Sequence, residues 1–123
     1  MPELPEVETI AGDLNAAGLV GKTLTCARVY WNRTIAEPSV PEFCRLIEKR
    51  KVAAVGRRGK FLVIDFAGGG HLLIHLRMSG RLHLVPSGTE LLPHEHVALA
   101  FDDGCELRFH DTRKFGRVYL MAD

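Results

Sequence analysis

Pro2 and Glu3 are the residues in this chain best suited to covalent chemistry at an electrophilic carbon. A proline directly after the initiator is small enough for an aminopeptidase to remove Met1, and Pro2 then carries a secondary amine in place of an amide nitrogen. A free α-amino group titrates near ~7.7–8.0, so a useful fraction is unprotonated close to neutral pH. Such an amine can attack an aldehyde-like carbon and form an iminium, with Glu3 beside it to shuttle a proton. If Met1 is retained, the Pro2 nitrogen is an amide and that chemistry is closed to it. A plainer reading of the same residues is a helix start, because proline suits the first helical position and carboxylates the first turn.

Two loops carry further signals. Leu76-Arg77-Met78-Ser79-Gly80 reads as a tight turn with a methionine at its apex. Methionine is commonly a core filler, and strand alternation would place Met78 with the Leu/Ile face; the functional alternative is an apolar wedge pushed into a base stack. His110-Asp111-Thr112-Arg113-Lys114-Phe115-Gly116 is a polar loop holding one large aromatic. An arginine and a phenylalanine two residues apart can fill the gap left by an extruded nucleotide and stack on its neighbours, although an anchored loop remains open as a reading. Basic residues cluster at Arg45, Lys49, Arg50, Lys51, Arg57, Arg58 and Lys60, and again at Arg108, Arg113, Lys114 and Arg117. Both clusters suit phosphate contacts, and both suit a solvated face.

The elements that must hold these residues are one helix followed mostly by strands. Val7, Ile10, Ala11, Leu14 and Ala17 make a helical stripe from Pro5 to about Leu19, with Gly18 or Gly21 available to end it. Thr23–Trp31 reads as a strand, and Phe43, Leu46 and Ile47 as a short second helix to about Lys49 after the Pro38 and Pro41 breaks. Strands are expected from Val52 onward, at Lys60–Phe66, His71–Arg77, Arg81–Val85, His96–Phe101, Cys105–His110 and Arg117–Met121, with a hairpin at Asp102-Asp103-Gly104. About eight short strands with flanking helices predict a mainly β fold, a two-layered antiparallel β-sandwich or flattened barrel. Pro86–His94 is the segment expected to be mobile.

A chain of 123 residues, 46% hydrophobic and 25% charged, fits one domain with a single core. The net charge of +1 requires any nucleic-acid binding to come from a local patch. Cys26, Cys44 and Cys105 are widely spaced and odd in number, giving neither a zinc spacing nor a disulfide framework, so buried thiols in a reducing cytoplasm are expected and no metal site is predicted. The acidic N-terminus is unlike a secretory signal, and no run is long enough to span a membrane.

Met1-Pro2-Glu3-Leu4-Pro5-Glu6-Val7-Glu8-Thr9 closely resembles the N-terminus of the bacterial formamidopyrimidine-DNA glycosylases. Arg57-Arg58-Gly59-Lys60-Phe61-Leu62, His75-Leu76-Arg77-Met78-Ser79-Gly80 and Asp111-Thr112-Arg113-Lys114-Phe115-Gly116 are similar to that family's other blocks, in the same order. The resemblance covers residues 1–123 as the family's N-terminal catalytic domain. It implies a two-layered β-sandwich flanked by helices that excises 8-oxoguanine and formamidopyrimidines from damaged double-stranded DNA, then cleaves the abasic strand by β,δ-elimination. It further implies a cytoplasmic, nucleoid-associated bacterial enzyme.

The same resemblance assigns roles. Pro2 would be the Schiff-base nucleophile at the sugar C1′, Glu3 the general acid/base, and Glu6 a supporting carboxylate. Lys60 and His75 would grip phosphates beside the lesion. Met78 and Phe115 would occupy the stack while Arg113 faces the orphaned cytosine. The endonuclease VIII-like sibling group has Gly where this chain has Leu4 and takes its wedge from one loop, so oxidised purine is favoured over oxidised pyrimidine. A non-catalytic nucleic-acid-binding module, or a self-associating sandwich domain, are the alternatives in other classes. The family continues past the position of Asp123 with a helix–two-turn–helix element and usually a four-cysteine zinc finger, so this chain is expected to be a fragment with no cofactor of its own. It is expected to hold the chemical groups yet bind DNA weakly and turn over little by itself.

Overall fold

Hydrophobic spacing accounts for both helices of the structure, a computed structural model that describes residues 4–122. In α1 (Leu4–Ala16) Val7, Ala11 and Leu14 fall at i, i+4 and i+7 and are all buried. In α2 (Val40–Ile47) the Ser39 side chain caps the first turn by accepting from the Glu42 amide, Pro41 sits in that turn, and Phe43 and Ile47 point inward.

The described residues form nine strands: β1 (Leu24–Val29), β2 (Ile35–Glu37), β3 (Val52–Arg58), β4 (Phe61–Phe66), β5 (His71–His75), β6 (Gly80–Pro86), β7 (Glu95–Phe101), β8 (Cys105–Asp111) and β9 (Arg117–Met121). They form a four-stranded sheet ordered β1-β7-β8-β6 and a five-stranded sheet ordered β2-β9-β5-β4-β3. The two layers flanked by helices are the expected sandwich. One pairing departs from an all-antiparallel arrangement: the short β2, beyond a 3-10 turn at Asn32–Thr34, runs parallel to β9. Its three residues follow the Trp31 bend and precede Pro38, a length too short for periodicity to reveal.

The core is continuous between the layers. Leu62 and Ile64 of β4, Leu72 and Ile74 of β5 and Val118 and Leu120 of β9 face Val97, Leu99 and Phe101 of β7 and Leu107 and Phe109 of β8, and the apolar stripes of both helices join the same cluster. α1 lies along β3: the Asn15 side-chain amide donates to the Val55 carbonyl at 3.0 Å, and Arg57 donates to the Glu8 carboxylate at 2.7 Å. The helix therefore begins at the end of the sheet where β3 finishes.

Three local expectations are corrected. The Pro86–His94 segment is tied down, not mobile. Arg108 donates to the Thr89 and Glu90 carbonyls at 2.7 and 3.2 Å, and the Leu92 amide donates to Glu95 at 2.7 Å. Arg108 also leaves the second basic cluster: it is buried against Glu95 and Glu106, at 3.1 and 3.0 Å. Finally, β5 stops at His75, and Arg77 takes a left-handed φ of 55°, so strand alternation does not carry through to Met78.

Candidate nucleic-acid interface

The sheet registers bring the sequence-predicted loops to one end of the sandwich. Phe61, the first residue of β4, pairs with His75, the last of β5, and His75 pairs with Arg117, the first of β9. In the other layer Gly80 at the start of β6 pairs with Asp111 at the end of β8. The β3–β4 hairpin tip with Lys60, the β5–β6 turn with Met78 and the β8–β9 loop with Arg113 and Phe115 consequently share one rim. Lys60 and Arg113 are exposed there.

Met78 is 50% exposed, which removes its core-filler reading, and Phe115 is 48% exposed. The two loops touch: Arg113 Nη1 lies 3.9 Å from Met78 Sδ. Glycine permits the closeness. A Cβ on Gly80 would meet the Leu76 carbonyl oxygen at 2.5 Å, and one on Gly116 would meet Phe109 at 2.5 Å and the Asp111 carboxylate at 2.9 Å.

His75 is half-buried against the Phe61 ring, and its Nδ1 has no hydrogen-bond partner among the described residues. Burial lowers its pKa from the ordinary histidine range, and the charges of Arg77 and Lys60 push it the same way. A neutral imidazole beside two cations has the chemistry of a directional hydrogen-bonding group next to positive charge, an arrangement able to receive an anion.

The basic residues divide sharply by partner. Arg57 is paired with Glu8, Arg50 donates to the Leu46 and Gly69 carbonyls, and Arg117 donates to the Lys114 and Gly116 carbonyls. The Lys114 ammonium stacks 4.3 Å from the Trp31 ring. Arg57, Lys114 and Arg117 thus support the rim, while Arg50 braces the β4–β5 turn at the other end of the sheet, a distinction that charge clustering alone does not carry.

Glu6 is exposed in the first turn of α1 and lines a shallow cavity with Thr9, Ile10 and Arg81. Arg81 was not singled out by sequence; its place at the head of β6, directly after the Met78 turn, is the signal that could have found it. Pro2 and Glu3 lie outside the described residues. Among the described residues no group of three or more His, Cys, Asp or Glu side chains is placed to hold a metal. Cys26, Cys44 and Cys105 sit on β1, α2 and β8, so the zinc that the resemblance implied for the wider family finds no ligand set here.

The two-layered sandwich gathers exposed apolar and guanidinium groups and a half-buried imidazole on one rim. Residues 1–118 match the family model described as "Formamidopyrimidine-DNA glycosylase N-terminal domain", and the chain belongs to that family. It is 42% identical over its full length to a formamidopyrimidine-DNA glycosylase of Protochlamydia amoebophila, and 48% identical over 98% of its length to one of Chloroflexus aggregans. It spans 45% and 44% of those relatives, so less than half of each. Among solved structures, the Lactococcus lactis Fpg in complex with DNA containing an abasic site superposes with a TM-score of 0.92 at 27% identity, over 98% of this chain and 44% of that one. The same protein in complex with N7-benzyl-Fapy-dG-containing DNA gives 0.92 at 28% identity.

Proposed function

We propose that this chain is the catalytic half of a DNA glycosylase and abasic-site lyase acting on oxidised purines in duplex DNA. The observation that carries the reading is the rim: Met78 and Arg113 in contact, Phe115 exposed beside them, and His75 and Lys60 on the adjoining strand ends. Met78 and Phe115 fill the gap left when the damaged nucleotide leaves the stack, and Arg113 presents hydrogen-bond donors to the orphaned base. Lys60 and His75 hold the phosphates on either side of the extruded nucleotide.

In this reading the unprotonated Pro2 amine attacks C1′ of the damaged nucleotide as the bond from C1′ to the base breaks and the base departs with a proton. Glu3 protonates the ring oxygen as the sugar opens, giving an iminium between Pro2 and C1′. The iminium acidifies the C2′ protons. Removal of one expels the 3′ phosphate, a second elimination expels the 5′ phosphate, and water then releases the sugar remnant from Pro2. Glu6 supports the charge of this site from the first turn of α1.

Borohydride reduction in the presence of abasic duplex DNA tests the proposal by converting the iminium into a stable amine link. A covalent protein–DNA adduct is expected from chain whose Pro2 amine is free by intact mass, and none from chain retaining Met1. No adduct from the free-amine form, at DNA concentrations high enough to saturate a weakly binding chain, overturns the lyase reading. Salt-dependent DNA binding without any adduct would leave a binding module in its place.

A further inference from the structure

Asp111 is buried to 1% exposure at the foot of the β8–β9 loop, where an unsatisfied carboxylate would be costly, and both of its oxygens are occupied. Oδ1 accepts from the Ser79 hydroxyl at 2.5 Å and from the Arg113 amide at 3.2 Å; Oδ2 accepts from the Gly116 amide at 2.7 Å. The Arg113 amide also donates to Ser79 Oγ at 3.1 Å. One carboxylate therefore joins the residue after Met78 to the backbone that carries Arg113 and Phe115. Its own main chain is fixed from β7: the Asp111 amide donates to the His94 carbonyl at 2.9 Å, and the Asp111 carbonyl accepts from His96 Nε2 at 2.7 Å.

We infer that Asp111 is the positioning residue that makes the two wedge-bearing loops one rigid unit, with Ser79 as its counterpart on the first loop; the inference rests on the proposed role of Met78, Arg113 and Phe115. The three residues themselves are exposed, and the Arg117 bonds to the Lys114 and Gly116 carbonyls and the Lys114–Trp31 contact brace the second loop alone, without reaching the first. Two loops moving independently would have to be ordered together each time they entered the stack, an entropy cost that a prearranged pair avoids. Charge-assisted bonds from a buried carboxylate to two amides and a hydroxyl are the strong kind, well suited to that task. The close approach of Gly116 to the carboxylate, which no side chain could share, belongs to the same construction.

The geometry separates this role from a general contribution to folding. Ser79→Ala deletes two hydrogen bonds at a half-buried position, one to Asp111 and one from the Arg113 amide, and touches nothing in the core, so it should leave global unfolding little changed. In the absence of DNA, amide hydrogen exchange at Arg113 and Gly116 should rise about tenfold or more in Asp111→Ala, and at Arg113 in Ser79→Ala. On an 8-oxoguanine duplex both variants should raise KM about tenfold with kcat held within about twofold, while borohydride trapping on a single-stranded abasic oligonucleotide, which has no stack to open, stays near the parent level. Asp111→Asn keeps an acceptor for one side of the bridge but turns an amide donor toward an N–H on the other, so it should recover only part of the loss.

Unaltered exchange at Arg113 and Gly116 in Asp111→Ala overturns the positioning role, as does an equal loss on the single-stranded and duplex substrates. If the parent chain forms no adduct on any abasic DNA, the glycosylase reading fails, while the exchange measurement still decides whether Asp111 couples the loops.

Discussion

The rings of Phe61 and His75 lie 5.0 Å apart, centroid to centroid, at the paired position where β4 begins and β5 ends. Phe61 in turn meets Tyr119 of β9 edge-on at 6.1 Å. The imidazole is thereby held between an aromatic wall and two cationic side chains, and its protonation becomes unfavourable on both counts. Apolar packing here sets the charge state of a residue assigned to phosphate binding.

A pH dependence of stability follows. His75 and His110 both have pKa values lowered from 6.5; in His110 the cause is burial first, then the charges of His83 and His94, against which Glu95 pulls upward. A histidine whose folded pKa is below its unfolded value binds fewer protons when folded, so stability is lost as pH falls from about 6.5 toward the folded pKa and then levels off. Urea unfolding at about pH 7.5 and about pH 5.5 should show lower stability at the acid value, and His75→Gln should reduce the difference. An equal or greater stability at the acid pH would contradict the sign.

The buried ion network under the β6–β7 loop predicts a large loss on truncation. Arg108 contacts Glu95 and Glu106, and Glu106 also receives Arg28 at 3.2 Å. Arg108→Met removes the cation and leaves the buried Glu95 and Glu106 carboxylates without it, so a destabilisation of about 3–5 kcal/mol is expected by chemical denaturation. Proteolytic nicking between Pro86 and His94 should become rapid in the same variant, because the Thr89 and Glu90 carbonyls lose their donor.

Such distinctions show where the sequence is legible and where it is not. Alternation of Leu72 and Ile74 with His71, Leu73 and His75 exposed the β5 faces directly, because period-two burial is a local property. Three of the four family blocks marked Lys60, His75, Met78, Arg113 and Phe115, and the structure brings all five to one rim. Arg108 was read with Arg113 because the two are close along the chain; which of them meets solvent depends on the Glu95 and Glu106 partners, one of them supplied by a neighbouring strand. Asp111 likewise stood inside a recognised block without standing out, since a buried carboxylate is identified by the donors around it, and Ser79 lies thirty-two positions away. Long-range pairing of polar groups is the information that local patterning lacks.

Gly116 admits a direct test of the rim's packing. A methyl group there meets Phe109, the Asp111 carboxylate and the His75 carbonyl at 2.5, 2.9 and 3.1 Å. Gly116→Ala should therefore destabilise the fold by about 1–3 kcal/mol, as overpacking commonly does, and shift the Phe61 and His75 ring resonances in an NMR spectrum. Gly12 offers the control, since a Cβ there meets nothing within 4 Å and sits in a helix that alanine favours.

The exposed pair Met78 and Phe115 should separate binding from stability. Neither side chain contributes to the core, so Met78→Ala and Phe115→Ala should each alter unfolding by no more than about 0.5 kcal/mol. If they enter the stack, each truncation removes an aromatic or apolar contact with a base worth about 1–3 kcal/mol, a loss of roughly tenfold to a hundredfold in affinity for a lesion duplex. Because neither residue carries charge, the slope of log affinity against log salt should stay constant in both variants, whereas Lys60→Ala should flatten it by about one. Titration of a fluorescent abasic duplex at several salt concentrations measures both quantities together. An affinity loss accompanied by a changed slope would mean that Met78 and Phe115 act by positioning the cations instead of by stacking.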